Sequence, residues 1–172
     1  MKNWIKYIIV FLSVFLIRLI PFRAPNVEPI MASIMPIGKT YGKLVAFMFG
    51  FFSLVLFDLV TSGIGIWTLV TAFCYGLLGL GATYFFKNRT GWKSYAIYAV
   101  IGTIVYDAIT GLTIGPLFFH QSFTVSLVGQ IPFTVLHLFG NVSFAIVISP
   151  VIEKWLVKKE ESVVVEKVVL VS

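Results

Sequence analysis

Long apolar stretches broken by short polar or Gly/Pro-bearing links run the length of this chain. They predict six helices, at about 4–20, 27–37, 41–60, 66–86, 94–112 and 132–155. The second is short. At roughly 1.5 Å rise per residue it cannot cross a bilayer unless tilted, extended or joined to a neighbour. Pro36 and Gly38 set its expected end, and Pro132 the start of the sixth helix, where proline suits the first turn. The connection 112–131, with Gly115-Pro116, Phe118, Phe119 and Phe123, reads as a long loop lying at an interface or folding over as a lid.

The positive charges alternate across these segments. Lys2, Lys6, Lys39, Lys43, Lys87, Arg89, Lys93, Lys154, Lys158, Lys159 and Lys167 fall on one side. Only Arg18 and Arg23, of the 13 basic residues, fall on the other. By the positive-inside rule the basic side is cytoplasmic, which places both ends inside and the links 21–28, 61–66 and 112–131 outside. Trp4, Trp67, Trp92 and Trp155 fall at expected helix ends, as an interfacial aromatic belt requires. The fold class that follows is an all-α integral membrane protein: a six-transmembrane-helix bundle, N-in/C-in, with a short second helix.

Composition sharpens this picture. The chain is 59% hydrophobic and 12% charged, with a mean hydropathy of +0.99. A soluble domain carries about a quarter charged residues, so the solvent here is lipid. The net charge of +6 sits at helix ends and meets anionic headgroups, not nucleic acid. The single cysteine, Cys74, excludes an internal disulfide and any cysteine metal site. Residues 1–20 start like a signal peptide, but no small-x-small cleavage site precedes Arg18 and Pro21; they read as a retained first helix. The division is a membrane domain over 1–157 and a flexible cytoplasmic tail over 158–172. Gly42, Ala46 and Gly50, Gly76, Gly79 and Gly81, and the pair Ala145 and Ser149 form small-residue stripes that let helices approach closely in lipid.

Ionisable groups within a span are expensive and are therefore default candidates for function. Asp107 lies about one and a half turns from the expected outer end of helix five. His137 and Asn141, four apart, share a face of helix six, in its outer half if the helix starts at Pro132. Together these three read as the floor of a polar, outward-facing cavity. Arg23, Asn26 and Glu28 line its mouth, where Arg23 is also placed to pair with Glu28. Asp58 closes helix three, His120 and Gln121 cap the cavity, and Trp67 and Tyr106 offer stacking surfaces. The inner half holds almost no charge. A one-sided pocket suits capture of a small solute, whereas a channel needs a continuous polar path.

Several motifs fail on inspection. Gly38-Lys39-Thr40 imitates the end of a phosphate-binding loop, but the upstream glycine position holds Ser33. No His-Glu-x-x-His, Gly-x-Ser-x-Gly or Cys/His cluster occurs, and His120 and His137 are too few for nickel or cobalt. Asn88-Arg89-Thr90 is a glycosylation sequon by letters only, on the cytoplasmic side. No cofactor and no catalytic residue is assigned.

The run RAPNVEPIMASIMPIGKTYGKLVAFMFGFFSLVLFDLVTSGIGIWTLVTAFCYGLLGLGATYFF, with its short second helix, glycine-spaced third and Trp-led fourth, resembles the substrate-binding (S) components of energy-coupling-factor (ECF) transporters. With the closing sixth helix before a basic tail, the resemblance extends over about 20–157. It implies a cell-membrane, multi-pass, non-enzymatic subunit that binds a vitamin or other micronutrient in an outward pocket. It also implies a transmembrane coupling subunit and two cytoplasmic ATPases as partners. Many such subunits carry two alanines four apart on helix one, where the coupling subunit docks. Here helix one has only Ser13 among bulky residues, which moves the expected docking face to Ala32/Ser33 and the helix-three stripe. The alternative reading is a structural scaffold of the rod-shape morphogenesis type, which has no need of Asp107, His137 and Asn141 at one depth. A polytopic enzyme using Asp58, Asp107 and His137 is a third reading, with no recognised motif to support it.

Overall fold

The computed structural model describes residues 2–22 and 27–157. The described chain is helical throughout: α1 (Lys2–Arg18), α2 (Ile30–Tyr41), α3 (Lys43–Val60), α4 (Ile66–Phe85), α5 (Trp92–Phe118) and α6 (Phe123–Val157). The last four are long and apolar enough to cross a membrane.

The short α2 is the centre of the bundle. Ile30 through Gly38 are all buried, as expected of a helix that is apolar on every face. It runs through Pro36 instead of stopping there. Proline lacks the amide that would bond the carbonyl of Ala32. That carbonyl instead accepts a hydrogen bond from Ser149 Oγ on α6, at 2.7 Å. A single residue, Gly42, then turns the chain into α3, with φ +84. L-residues with a side chain rarely adopt that conformation.

The small-residue stripe of α3 packs inward against α4. A Cβ on Gly50 would lie 2.5 Å from the Tyr75 carbonyl oxygen, and one on Gly79 would lie 2.3 Å from that of Ala46. Ala32 and Ser33 are likewise buried. The docking face expected on Ala32/Ser33 and on the helix-three stripe is therefore consumed by packing within the bundle.

The expected long loop 112–131 is a short turn. α5 continues to Phe118 with Pro116 in its last turn, and α6 begins at Phe123 with Pro132 inside it. Ser122 caps α6 by accepting the Val125 amide at 3.3 Å. His120, at the turn, is the one non-glycine with positive φ among the described residues. The expectation failed because proline and glycine punctuate soluble helices more strictly than helices in lipid. In lipid the pressure to satisfy every backbone group keeps the helix going.

The start of α1 and the end of α6 lie together. Lys6 Nζ donates to the carbonyls of Trp155 (2.5 Å) and Leu156 (3.0 Å), which the helix end leaves unpaired. Lys39 pairs with Glu153, whose other oxygen accepts from Tyr95 at 2.8 Å. One end of the bundle thus carries both described chain ends and most of the basic residues. All four tryptophans lie near helix ends and are exposed, as the sequence predicts.

Candidate functional site

The opposite half holds a buried polar cluster drawn from α1, the α1–α2 link, α3, α4, α5 and α6. Arg18, at the end of α1, donates from Nη1 to the Ser53 carbonyl of α3 at 2.7 Å. Its Nε lies 3.0 Å from Glu28 Oε2, and its guanidinium covers the Phe57 ring at 4.0 Å. The other Glu28 oxygen accepts from the Tyr75 hydroxyl at 3.0 Å. That hydroxyl lies 3.5 Å from His137 Nε2, and His137 Nδ1 lies 2.8 Å from Asp107 Oδ1. One turn away, Asn141 Nδ2 donates to Thr103 Oγ1 at 2.8 Å. All the polar residues of this cluster are buried.

This chain of contacts runs Arg18–Glu28–Tyr75–His137–Asp107 and joins elements far apart in sequence. Aromatic rings wall it: Tyr106 lies 4.6 Å from Tyr75 and 5.7 Å from His137, and Phe133 lies 5.7 Å from His137 on the other side. Such a network is affordable inside an apolar bundle only when its charges are paired. Below it, Met31, Met35, Ala99 and Ala145 are fully buried. They separate the cluster from the Lys39–Glu153 pair at the basic end.

Of the sequence-selected residues, the structure brings Glu28, Tyr106, Asp107, His137 and Asn141 together. Asp107 sits deeper than expected, about three turns from the end of α5 at Phe118. His137 lies some 20 Å along α6 from its start at Phe123, because that helix begins well before Pro132. The partner of Glu28 is Arg18; Arg23 and Asn26 lie outside the described residues. Asp58 stands apart, accepting from Thr68 Oγ1 at 2.6 Å, while Thr68 also receives the Gly65 amide at the start of α4. Trp67 folds its ring against Gly65, not over the cluster. His120 and Gln121 belong to the α5–α6 turn, where Gln121 accepts from Ser126 at 3.1 Å.

Tyr75, Ser53 and Thr103 are members that the sequence did not single out. Tyr75 reads as one more aromatic in an apolar helix. Its only sequence signal is a hydroxyl in mid-span, which needs a partner there.

An all-helical bundle with four helices long and apolar enough for a membrane, and a charge-paired cluster buried in one half, is the architecture of a polytopic membrane protein. The family model "ECF-type riboflavin transporter, S component" matches residues 7–94. The chain belongs to that family, and it is the substrate-binding subunit of a transporter, a multi-pass membrane protein. No curated protein and no solved structure matches it. The matched region carries Arg18, Glu28 and Tyr75; Asp107, His137 and Asn141 lie beyond it.

Proposed function

We propose that this chain captures riboflavin, or a close relative of it, for uptake across the cell membrane. The basic end faces the cytoplasm, both chain ends lie inside, all six helices take part in the membrane domain, and the pocket opens outward. Glu28, Tyr106, Asp107, His137 and Asn141 contact or position the solute, with Tyr75 and Arg18 holding them. Arg23 and Asn26 belong to the link that leads to Glu28. A transmembrane coupling subunit and two cytoplasmic ATPases supply the energy, so ATP is hydrolysed on other chains.

The observation that carries this reading is the five-residue polar chain from Arg18 to Asp107, buried in the half away from the basic end. A scaffold has no need of a costly buried cluster that ties α1, α4, α5 and α6 together around aromatic walls. The side left for the coupling subunit is that of α1, which touches the rest of the bundle least. It exposes Ile5, Ile8, Leu12 and Leu16. An apolar groove of about 380 Å³ separates it from α6.

Native mass spectrometry of the protein purified from cells supplied with riboflavin tests this. We expect one bound riboflavin per chain, absent from His137→Ala. A wild-type protein that carries only lipid under these conditions contradicts the proposal.

A further inference from the structure

Among the described residues three basic side chains are buried: Lys6, Arg18 and His137. Arg18 faces Glu28, and His137 faces Asp107. Lys6 is 9% exposed and pairs with no carboxylate among the described residues. Its ammonium has three N–H donors. Two go to the carbonyls of Trp155 and Leu156 at the end of α6. Those carbonyls and the negative end of the helix dipole offset part of the charge. One donor is left over, and no full negative charge stands against the cation where an uncompensated ion is costly.

The ammonium lies 5.6 Å from the centre of the Trp155 ring. Trp155 also lines one end of the apolar groove between α1 and α6. Lys6, Val10, Ser13 and Ile17 recur at intervals of four, three and four, so they share one face of α1. The last three line the groove, and Lys6 continues their stripe one turn further toward the basic end. From Ile9 to Ile17 the groove follows α1 for roughly 12 Å. It opens to lipid, since Ile9 and Val151 on its rims are exposed.

Size and charge select the occupant. The groove holds about 380 Å³. A helix is about 10 Å across, and two turns of one displace roughly 850 Å³. A partner helix can lie over the groove but not in it, whereas a single hydrocarbon chain fits. A cation above an apolar slot is the complement of a phospholipid, which carries a phosphate above apolar tails. Glu153, the acidic side chain at this end, is spent on Lys39 and Tyr95 and leaves the anion unopposed. A zwitterionic headgroup would instead bring its own ammonium up to Lys6. Ile5, Ile8, Leu12 and Leu16 fall on a different face of α1, so a lipid here leaves the side proposed for the coupling subunit open.

We infer that the α1–α6 groove is a binding site for an anionic phospholipid. Its phosphate accepts the remaining N–H of Lys6, and one acyl chain lies along the groove past Ser13.

The test is native mass spectrometry of the full-length chain in detergent, titrated with dioleoyl phosphatidylglycerol and with dioleoyl phosphatidylcholine. It is repeated on Lys6→Gln, Ser13→Phe and Lys154→Gln. Wild type should bind the first phosphatidylglycerol about tenfold more tightly than phosphatidylcholine. Lys6→Gln should abolish that preference, and Ser13→Phe, which fills the groove from its exposed side, should remove binding of both lipids. Lys154→Gln, an exposed charge at the same end but off the groove, should bind as wild type does. Should Lys6→Gln fail to fold, the wild-type ratio and Ser13→Phe still decide. Equal binding of the two lipids by wild type overturns the inference, as does phosphatidylglycerol binding that folded Lys6→Gln and Ser13→Phe retain. A loss in Lys154→Gln equal to that in Lys6→Gln reduces the effect to general surface charge and overturns it too. A dimer broken by Ser13→Phe assigns the groove to a second copy of the chain instead. None of these outcomes touches riboflavin capture, which is read separately.

Discussion

Arg18 and Glu28 each neutralise a charge that the apolar bundle could not otherwise hold. Breaking a buried pair from one side leaves the other charge stranded, at a cost of about 3–5 kcal/mol. Glu28→Ala should therefore destabilise the fold by about that amount, read from unfolding in mixed detergent and SDS micelles. Arg18→Met combined with Glu28→Met should recover most of the loss, because no charge is then left alone. Equal losses in the single and double variants would mean that the pair matters only through packing. The polar residues of this site were legible singly: Asp107, His137 and Asn141 stand out as expensive groups within spans. Their partners were less so. Glu28 looks to its sequence neighbour Arg23, yet it pairs with Arg18, across a link whose path depends on where α1 ends. Tyr75 was invisible because its role depends on its hydroxyl reaching Glu28, 47 positions away. Trp67 and Gln121 were selected for chemical type, but their places at the start of α4 and in the α5–α6 turn hold them in local contacts.

At the level of the helix, proline governs where sequence and structure agree or part. Pro36, Pro116, Pro132 and Pro150 all lie inside helices. Each removes one amide from the helical ladder. At Pro36 the compensation is visible: Ser149 takes over the Ala32 carbonyl. Ser149→Ala should leave that carbonyl orphaned and cost about 1–3 kcal/mol. In a Pro36→Ala background, where the amide is restored, the same change should cost much less. Equal costs in the two backgrounds, measured by the same micellar unfolding, would refute the exchange. The apolar runs themselves, with helix type, number and approximate order, were readable because lipid imposes long uninterrupted spans. The α5 and α6 boundaries were not. Nothing local distinguishes a proline that ends a helix from one whose orphaned carbonyl is satisfied by a neighbour. The inward stripes of α3 and α4 were recognised, but their alternative use as a docking face is ruled out only by the close approach of Gly50 and Gly79 to facing backbone.

The whole molecule separates two polar regions with an apolar layer. At one end Lys39, Glu153, Tyr95 and Lys6 knit the helix ends. In the other half Arg18, Glu28, Tyr75, His137 and Asp107 form the polar chain. Met31, Met35, Ala99 and Ala145 fill the space between. Under the function proposed above, this asymmetry would give capture without conduction: a solute would be held from one side and would not cross until a partner moved the bundle. Charge bias orients the assembly, with the basic end expected in the cytoplasm. The central claim is thus a sided one, and binding of radiolabelled riboflavin to sealed membrane vesicles of the two orientations, without ATP, tests it most directly. Saturable binding to right-side-out vesicles, lost in His137→Ala, with background levels on inside-out vesicles, is the result this account predicts. Binding confined to inside-out vesicles, or no saturable binding to either, would contradict it.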